Sequence, residues 1–333
     1  LSVTIVDIAR KAQVSVSTVS RVLNNKPDVN KETAAAVRAA IRDLDYSPSS
    51  VARGLVLRRS HIIGYIASDI TNPSFPETAR GVVVKAKEYG YAVMFFDANH
   101  DNRVEKDAIQ LLRSKQVDGI ILSFSAANRD ELERLHNERF PVVQIYRKSS
   151  RSVVSTIAID NIGSGYKATQ YLLRCGHRRI AHISTGDLTQ SGYERKVGYL
   201  QALAEAGITP DRQLVQCGDN SVASGKACMD RLLELDDRPS AVFASHDVMA
   251  IGAYEAILDQ GLAIPDDISV LGHDNIEISR LIRPHLSTID TFKYRLGQAS
   301  VELLMEEMAA QAPLNKEIVC PGELVVRDSV RQL

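Results

Sequence analysis

The sequence predicts an all-α helix-turn-helix headpiece followed by a larger α/β body of two similar lobes. Three observations predict it. Residues 1–60 are basic and carry helical periodicity, the remainder is acidic and alternates short apolar strands with amphipathic helices, and the alternation runs through two consecutive sets. Through Ser60, ten cations stand against five anions, a net charge of +5. Thirty against thirty-six give −6 for the rest. A basic head on an acidic body suits a protein whose small end meets a polyanion.

The headpiece reads as three short helices. Thr4-Ile-Val-Asp7 fits the [ST]-x-x-[DE] capping signature and starts a helix that turns Ile5, Ile8, Ala9 and Ala12 inward. Val14-Ser15 turns the chain, and Ser15 caps a second helix from Val16 to Leu23. Its Val19 and Val22 point one way, while Ser17, Ser20, Arg21 and Asn24 line the other at i, i+3, i+4, i+7 spacing. A solvated helix carries more paired Lys and Glu. Small hydroxyls around one Arg are shaped for contact instead. Asn30 caps a third helix with Ala34, Val37, Ala40, Ile41 and Leu44 as its buried stripe. Two short helices joined by a tight turn and braced by a third form a helix-turn-helix, whose second helix enters the major groove by its N-terminal end. Val16 then meets a thymine methyl, the serines hold phosphates, and Arg21 pairs with guanine O6 and N7.

Tyr46 to Leu55 comes next. Ser47 is a good N-cap, Pro48 suits the first helical position, and Val51, Ala52 and Leu55 share one face. Isolated helices shorter than about 12 residues are marginal in water, so the segment is expected to fold only when its apolar face is buried. An ordinary linker is the alternative.

From His61 onward, strands read at Ile62 to Ser68, Ala92 to Asp97, Gly119 to Ser123 and Val142 to Tyr146. A second set reads at Val154 to Ile159, Ile180 to Ser184, Leu214 to Gln216, Ala241 to Ala244 and Ile268 to Gly272. Helices such as Glu77 to Tyr89 and Gly163 to Cys175 intervene, which predicts parallel sheets wrapped by helices. A rival function arises here. Gly163-x-Gly165-x-x-Ala168 satisfies G-x-G-x-x-[GA] between a strand and a helix, as in an NAD(P)-dependent dehydrogenase. The preceding "VVSTIAID" alternates polar residues, however, and no acidic residue ends the next strand; glycines that let a helix pack closely are the other reading. "GDNSVASGKAC" misses the phosphate loop, since its glycines are too far apart and Ala227 replaces the Ser or Thr. No G-x-S-x-G, H-E-x-x-H or paired-cysteine motif occurs. His177 and His182 read as structural, and the four scattered cysteines as reduced core thiols. The longest apolar runs are too short to cross a bilayer and no signal-peptide core is seen. Binding rather than catalysis is expected, without cofactor or metal.

"TIVDIARKAQVSVSTVSRVLNN" followed by "YSPSSVARGL" resembles the N-terminal region of the LacI/GalR family of bacterial transcription regulators. The resemblance continues through "GYIASDITNPSF", "VDGIILS", "GHRRIAHIS", "VFASHDVMAIGA" and "HDNIEISRLIRPHLSTI". It implies a repressor bound as a homodimer to a pseudo-palindromic operator, in the bacterial cytoplasm at the nucleoid. Thr4, Ile5, Thr18, Asn30, Thr33, Ser49 and Ala52 then join the DNA contacts, and Leu55 of a paired hinge helix wedges into the minor groove. The implied domains are residues 1–46 (helix-turn-helix), 47–60 (hinge helix and linker) and 61–333, a periplasmic-binding-protein-like clamshell. Its first lobe spans about 61–159 plus 290–319 and its second about 160–289 plus 320–333. No leucine-heptad tail follows the final expected strand region, "GELVVRDSV", in keeping with a dimer.

The resemblance also places a small-molecule effector in the cleft, held by Ser74, Phe75, Ser125, Tyr146 and Arg147 of the first lobe and Arg195, Asn220, His246 and Asp274 of the second. Ser74 and Phe75 are expected in a loop. Arg195 and Asp274 are expected to read sugar hydroxyls as a pair. Asn220, Tyr146 and His273 depart from the residues relatives often carry, and Arg147 beside Lys148 points toward a sugar acid or phosphate.

Overall fold

The computed structural model describes residues 3–23, 26–46, 59–123, 129–146, 153–186 and 189–333. They fall into two units, Leu1–His61 and Ile62–Leu333. The first contains helices α1 (Ile5–Lys11), α2 (Val16–Leu23) and α3 (Lys31–Asp43). Each start is fixed by a side chain that satisfies an orphan amide or its mirror. The Thr4 amide and hydroxyl donate to Asp7 at 3.0 and 2.7 Å, Thr18 N donates to Ser15 Oγ at 3.1 Å, and Thr33 N to Asn30 Oδ1 at 2.7 Å. Ile8, Ala9, Val19, Val22, Val37 and Ala40 form the buried centre, with Ile5, Ala12, Ala34, Ile41 and Leu44 packed around it. Burying one such Val or Ile contributes about 1.5–3 kcal/mol, so a polar residue at Val37 would undo this small core.

The second unit holds two six-stranded sheets. The first lobe has β1 (Ile62–Ala67), β2 (Ala92–Asp97), β3 (Gly119–Leu122), β4 (Val142–Ile145), β5 (Ser155–Ile159) and β11 (Glu317–Cys320), all parallel in the order β11-β5-β4-β3-β1-β2. The second has β6 (Ile180–Ser184), β7 (Val215–Cys217), β8 (Ala241–Ala244), β9 (Ser269–Asp274), β10 (Ser287–Asp290) and β12 (Glu323–Val325), in the order β12-β10-β9-β8-β6-β7 with β12 antiparallel. Central strands β3, β4, β5, β6 and β8 are buried throughout. Helices cover both faces, so β3 and β8 are continuous apolar runs, while buried Gln144, Ser155, Thr156 and His182 interrupt β4, β5 and β6. Edge strand β2 keeps exposed positions.

Helices α4 (Phe75–Glu88) and α11 (Lys293–Ala309) cover one face of the first sheet through Val82, Ala86, Leu296, Val301 and Leu304. Helices α5 (Asn102–Ser114) and α6 (Arg129–Asn137) cover the other through Ile109, Leu112, Leu132 and Leu135. In the second lobe, α7 (Asn161–Arg174) and α8 (Gln190–Glu205) lie on one face, α9 (Val222–Leu233) and α10 (Asp247–Asp259) on the other. The chain passes between sheets three times: from β5 to α7, from β10 to α11, and from β11 to β12.

Several boundaries differ from the sequence expectation for identifiable reasons. Helix α4 begins at Phe75, not Glu77, because Asn72 takes the Ser74 and Phe75 amides at 2.9 Å each and Pro76 is tolerated in the first turn. Phe75 is therefore helical and not in a loop. Helix α7 begins at Asn161, where Asp160 accepts from Gly163 N at 2.9 Å. Gly163 and Gly165 thus lie inside a helix, and a Cβ on Gly165 would land on the Arg195 carbonyl. Strand β7 is shifted by one residue to Val215–Cys217, which leaves Cys217 exposed rather than in the core. Strands β10 and β11 were absent from the expected set; "STID" is short and half polar. Among the described residues no helix is long and apolar enough to cross a membrane.

Candidate functional site

On α2 the sequence-predicted contact face is outward. Val16 is 41% exposed, Ser17 and Arg21 are exposed, and Val19 and Val22 are buried beneath them. Ser15 Oγ lies 2.7 Å from Ser17 Oγ and 2.8 Å from Thr18 Oγ1, so the first turn holds its own hydroxyls in a chain. Arg21 is ion-paired with Asp28, and both side chains are half exposed. The sequence reading missed this partner. An exposed pair is weak and gives way to a better acceptor, so Arg21 is parked rather than spent. Thr4, Asn30 and Thr33 act in the caps described above, and Ile5 is half buried against the headpiece core. Asn24, Ser49, Ala52 and Leu55 lie outside the described residues, as does the expected hinge helix.

In the second unit a cavity of about 190 Å³ lies between the lobes, at the carboxyl ends of the strands where doubly wound sheets leave a crevice. Ser74, Phe75, Tyr146, Arg195, Asn220, His246 and Asp274 line it together. Ser125 and Arg147 lie outside the described residues. The Phe75 ring packs 5.9 Å from both Tyr65 and Phe95, giving one wall an aromatic base.

Asp274 is the electrostatic centre. Its Oδ2 accepts from His246 Nδ1 and its Oδ1 from His273 Nδ1, both at 2.9 Å. Burial acts to raise its pKa, but the two imidazoles facing it win and hold the carboxyl well below the usual range. Burial pushes both imidazoles down, His273 to about 3, so each is a neutral ring that donates one N–H. Asp274 has φ +113°, a region that costs a residue with a side chain on the order of 1–3 kcal/mol. Tyr146 at +70° and Asn220 at +71° are also left-handed. His100 at +56° is a fourth lining residue of this kind; Asn tolerates that region, so the bulky Tyr146 and Asp274 at +113° are the strained positions.

Arg195 departs from its expected role. It is 4% exposed; Nε donates to Asn161 Oδ1 at 2.9 Å, Nη1 donates to the Ser245 carbonyl, and Nη2 stands 3.9 Å from Asp274 Oδ1. Most of the guanidinium therefore braces the second lobe, and only Nη2 stands beside Asp274. Beneath Asp274, the buried Asp247 meets Thr288 Oγ1 at 2.6 Å and accepts from Ile276 N at 2.9 Å. Burial, then the nearby Asp274 charge, raises Asp247 to about 8.

Asn161, Ser123, Asp69, Gln190 and Lys293 also line the cavity and were missed. Ser123 had a usable signal, since it directly follows an apolar strand run; Lys293 had none. His177 and His182 are structural: His177 meets Ser240 Oγ at 2.9 Å, and His182 stacks between Tyr199 and Phe243. No group of three His, Cys, Asp or Glu side chains among the described residues is placed to hold a metal.

Comparison with known proteins agrees with both halves. Residues 4–49 match the bacterial regulatory proteins of the lacI family, and residues 169–330 match the periplasmic binding protein-like domain. The chain is 36% identical to the HTH-type transcriptional repressor CytR of Escherichia coli (strain K12), over 99% of this chain and 97% of that one. The crystal structure of the lac repressor dimer bound to operator and the anti-inducer ONPF matches with a TM-score of 0.91 at 28% identity, covering 99% of this chain and 100% of that one. A LacI family regulator from Enterococcus faecium with bound ribose matches with a TM-score of 0.74 at 28% identity, covering 82% and 99%. The relatives are repressors and not enzymes, which overturns the dehydrogenase reading of Gly163, Gly165 and Ala168. The chain belongs to the lacI family of bacterial regulatory proteins, as a DNA-binding transcriptional repressor whose larger unit is a periplasmic-binding-protein-like effector domain.

Proposed function

We propose that this repressor binds a pseudo-palindromic operator as a homodimer, with one α2 per half-site, and that a neutral polyhydroxylated effector in the interlobe cavity changes its affinity for that operator. The observation that carries the effector class is the ionised Asp274 carboxylate, braced by the imidazole N–H groups of His246 and His273 with Arg195 Nη2 alongside. A fixed acceptor next to a fixed donor suits adjacent hydroxyls. Among the described residues a sugar acid or phosphate is less well served. Arg195 is committed to Asn161 and Ser245, and Lys293 to protein carbonyls and Glu77.

A dimer is supported by exposed apolar side chains on both lobes, Tyr89 and Phe95 on the first, Ile278 and Leu281 on the second, and by the dimeric state of the lac repressor relative. One recognition helix reads too few base pairs to be selective alone. Such a repressor works in the cytoplasm, at the nucleoid. Effector binding shifts the balance between lobe arrangements and hence between operator affinities. The test is selection of bound sequences from random DNA, repeated with a panel of neutral sugars, sugar acids and sugar phosphates. An inverted repeat whose retention changes with a neutral sugar is the expected result. Selection of single half-sites, or a response to the phosphates alone, would overturn it.

A further inference from the structure

Lys293 is the first residue of α11, a helix packed in the first lobe, yet its ammonium ends in the second. The side chain is 2% exposed. Its Nζ donates to the Asp274 carbonyl, lies 3.4 Å from the Asn275 carbonyl, and stands 3.3 Å from Glu77 Oε2 on α4 of the first lobe. A buried ammonium without acceptors is expensive, so these three contacts are obligatory for the charge. Two belong to peptides that adopt φ +113° and +51°; the first lies outside the left-handed well that Asp and Asn tolerate, so Asp274 does not hold it without help. Helix α4 also carries Ser74 and Phe75, which reach the same cavity from its N-terminal end.

We propose that Lys293 is a positioning residue for the effector site: a bolt from the first lobe that holds the Asp274–Asn275 peptide in its left-handed form, aims the Asp274 carboxylate into the cavity, and ties that carboxylate to helix α4 through Glu77. The geometry requires the two lobes to share one ion. Opening of the cleft separates Glu77 from Asp274, and the ammonium loses one side or the other. The orientation of the effector-reading carboxylate and the disposition of the lobes are therefore a single variable rather than two. The inference rests on Asp274 being the effector-reading group.

Hydrogen–deuterium exchange on the full chain without ligand tests it, so an error in the effector class would leave the result intact. The amides to watch are Asn275 N, 3.3 Å from Thr288 Oγ1, and Ile276 N, which donates to Asp247. Lys293→Met is expected to speed their exchange tenfold or more. Glu77→Gln, a change at a half-exposed residue of the other lobe that leaves the fold intact, is expected to speed the same amides severalfold while β1 and β3 exchange as in the parent. The His246 Nδ1 proton, set by its bond to Asp274, should shift in the NMR spectrum of both variants. If Glu77→Gln leaves Asn275, Ile276 and the His246 proton unchanged, or if Lys293→Met loosens β1 and β3 as much as β9, Lys293 is only a filler of the core and the proposal is wrong.

Discussion

Asp247→Asn should make the larger unit's stability rise more with pH than it does in the parent. Asp247 is fully buried at the start of α10, and its pKa is lifted to about 8 by burial and by the charge of Asp274. In the unfolded chain a carboxyl is ionised above about pH 4. Between about pH 4 and 8 the native state therefore keeps a proton that the unfolded state has released, and this group makes stability fall as pH rises. Its slope approaches about 1.4 kcal/mol per pH unit, or about 2.7 kcal/mol between pH 5 and 7. Asn at this position imitates the protonated acid: the amide N–H₂ donates to Thr288 Oγ1 and the amide oxygen accepts from Ile276 N. The depressed imidazoles, His182 at about 4 and His273 at about 3, act oppositely, because the unfolded chain binds more protons than the native one below about pH 6.5. They act in both proteins, so the difference in slope isolates Asp247. Urea midpoints at pH 5, 6 and 7 can be followed by tyrosine fluorescence, since the chain has no Trp and ten of its eleven tyrosines lie beyond residue 61. Equal slopes in the two proteins, or a steeper fall in the variant, would refute the burial argument.

Other expectations concern the two binding faces. Arg21→Ala should cost about 1–3 kcal/mol of operator binding and relax base preference at one position per half-site, read by competition against single-base variants. Asp28→Asn should tighten operator binding severalfold, because it releases Arg21 and removes an anion beside the phosphates; unchanged affinity would mean the ion pair plays no part in the free headpiece. Asp274→Asn should weaken effector binding by about 1.5–3 kcal/mol in calorimetric titration, the range for hydrogen bonds to a charged group. Gly165→Ala should lower the melting temperature with a loss of about 1–3 kcal/mol, since its methyl meets the Arg195 carbonyl and no flexible side chain can give way. A neutral result there would show that α7 and α8 separate freely.

How legible these features are in the sequence depends on how local their causes are. The bounds of α2 follow from Ser15 and from Val19 and Val22 on one face, interactions that span a single turn. Cap residues Thr4 and Asn30 are readable for the same reason. Strand existence was readable because two covered faces force apolar runs, as in β3 and β8, but β10 is short, and its Ser287 and Thr288 hydroxyls are buried only because the Arg327 amide and Asp247 supply partners from elsewhere. The cavity residues came from family resemblance more than from pattern. No local rule says that Asp274 will be left-handed, that Arg195 will be consumed by Asn161 thirty-four residues away, or that a helix-initial Lys will cross into the other lobe.

That division has a mechanistic side. A residue whose conformation is chosen locally keeps it whatever the rest of the chain does, which suits α2, because the contact face must be the same in every state of the protein. Tyr146 and Asp274 sit in conformations that their own chemistry disfavours, and they stay there through partners brought from distant segments: Thr78 for the Tyr146 hydroxyl, and His246, His273 and Lys293 for Asp274. Residues held this way are sensitive to the arrangement that holds them. By linkage, a ligand bound to them is sensitive in the same degree, and it biases that arrangement in return. The features least legible in the sequence are thus the ones that allow an effector to change the state of the protein.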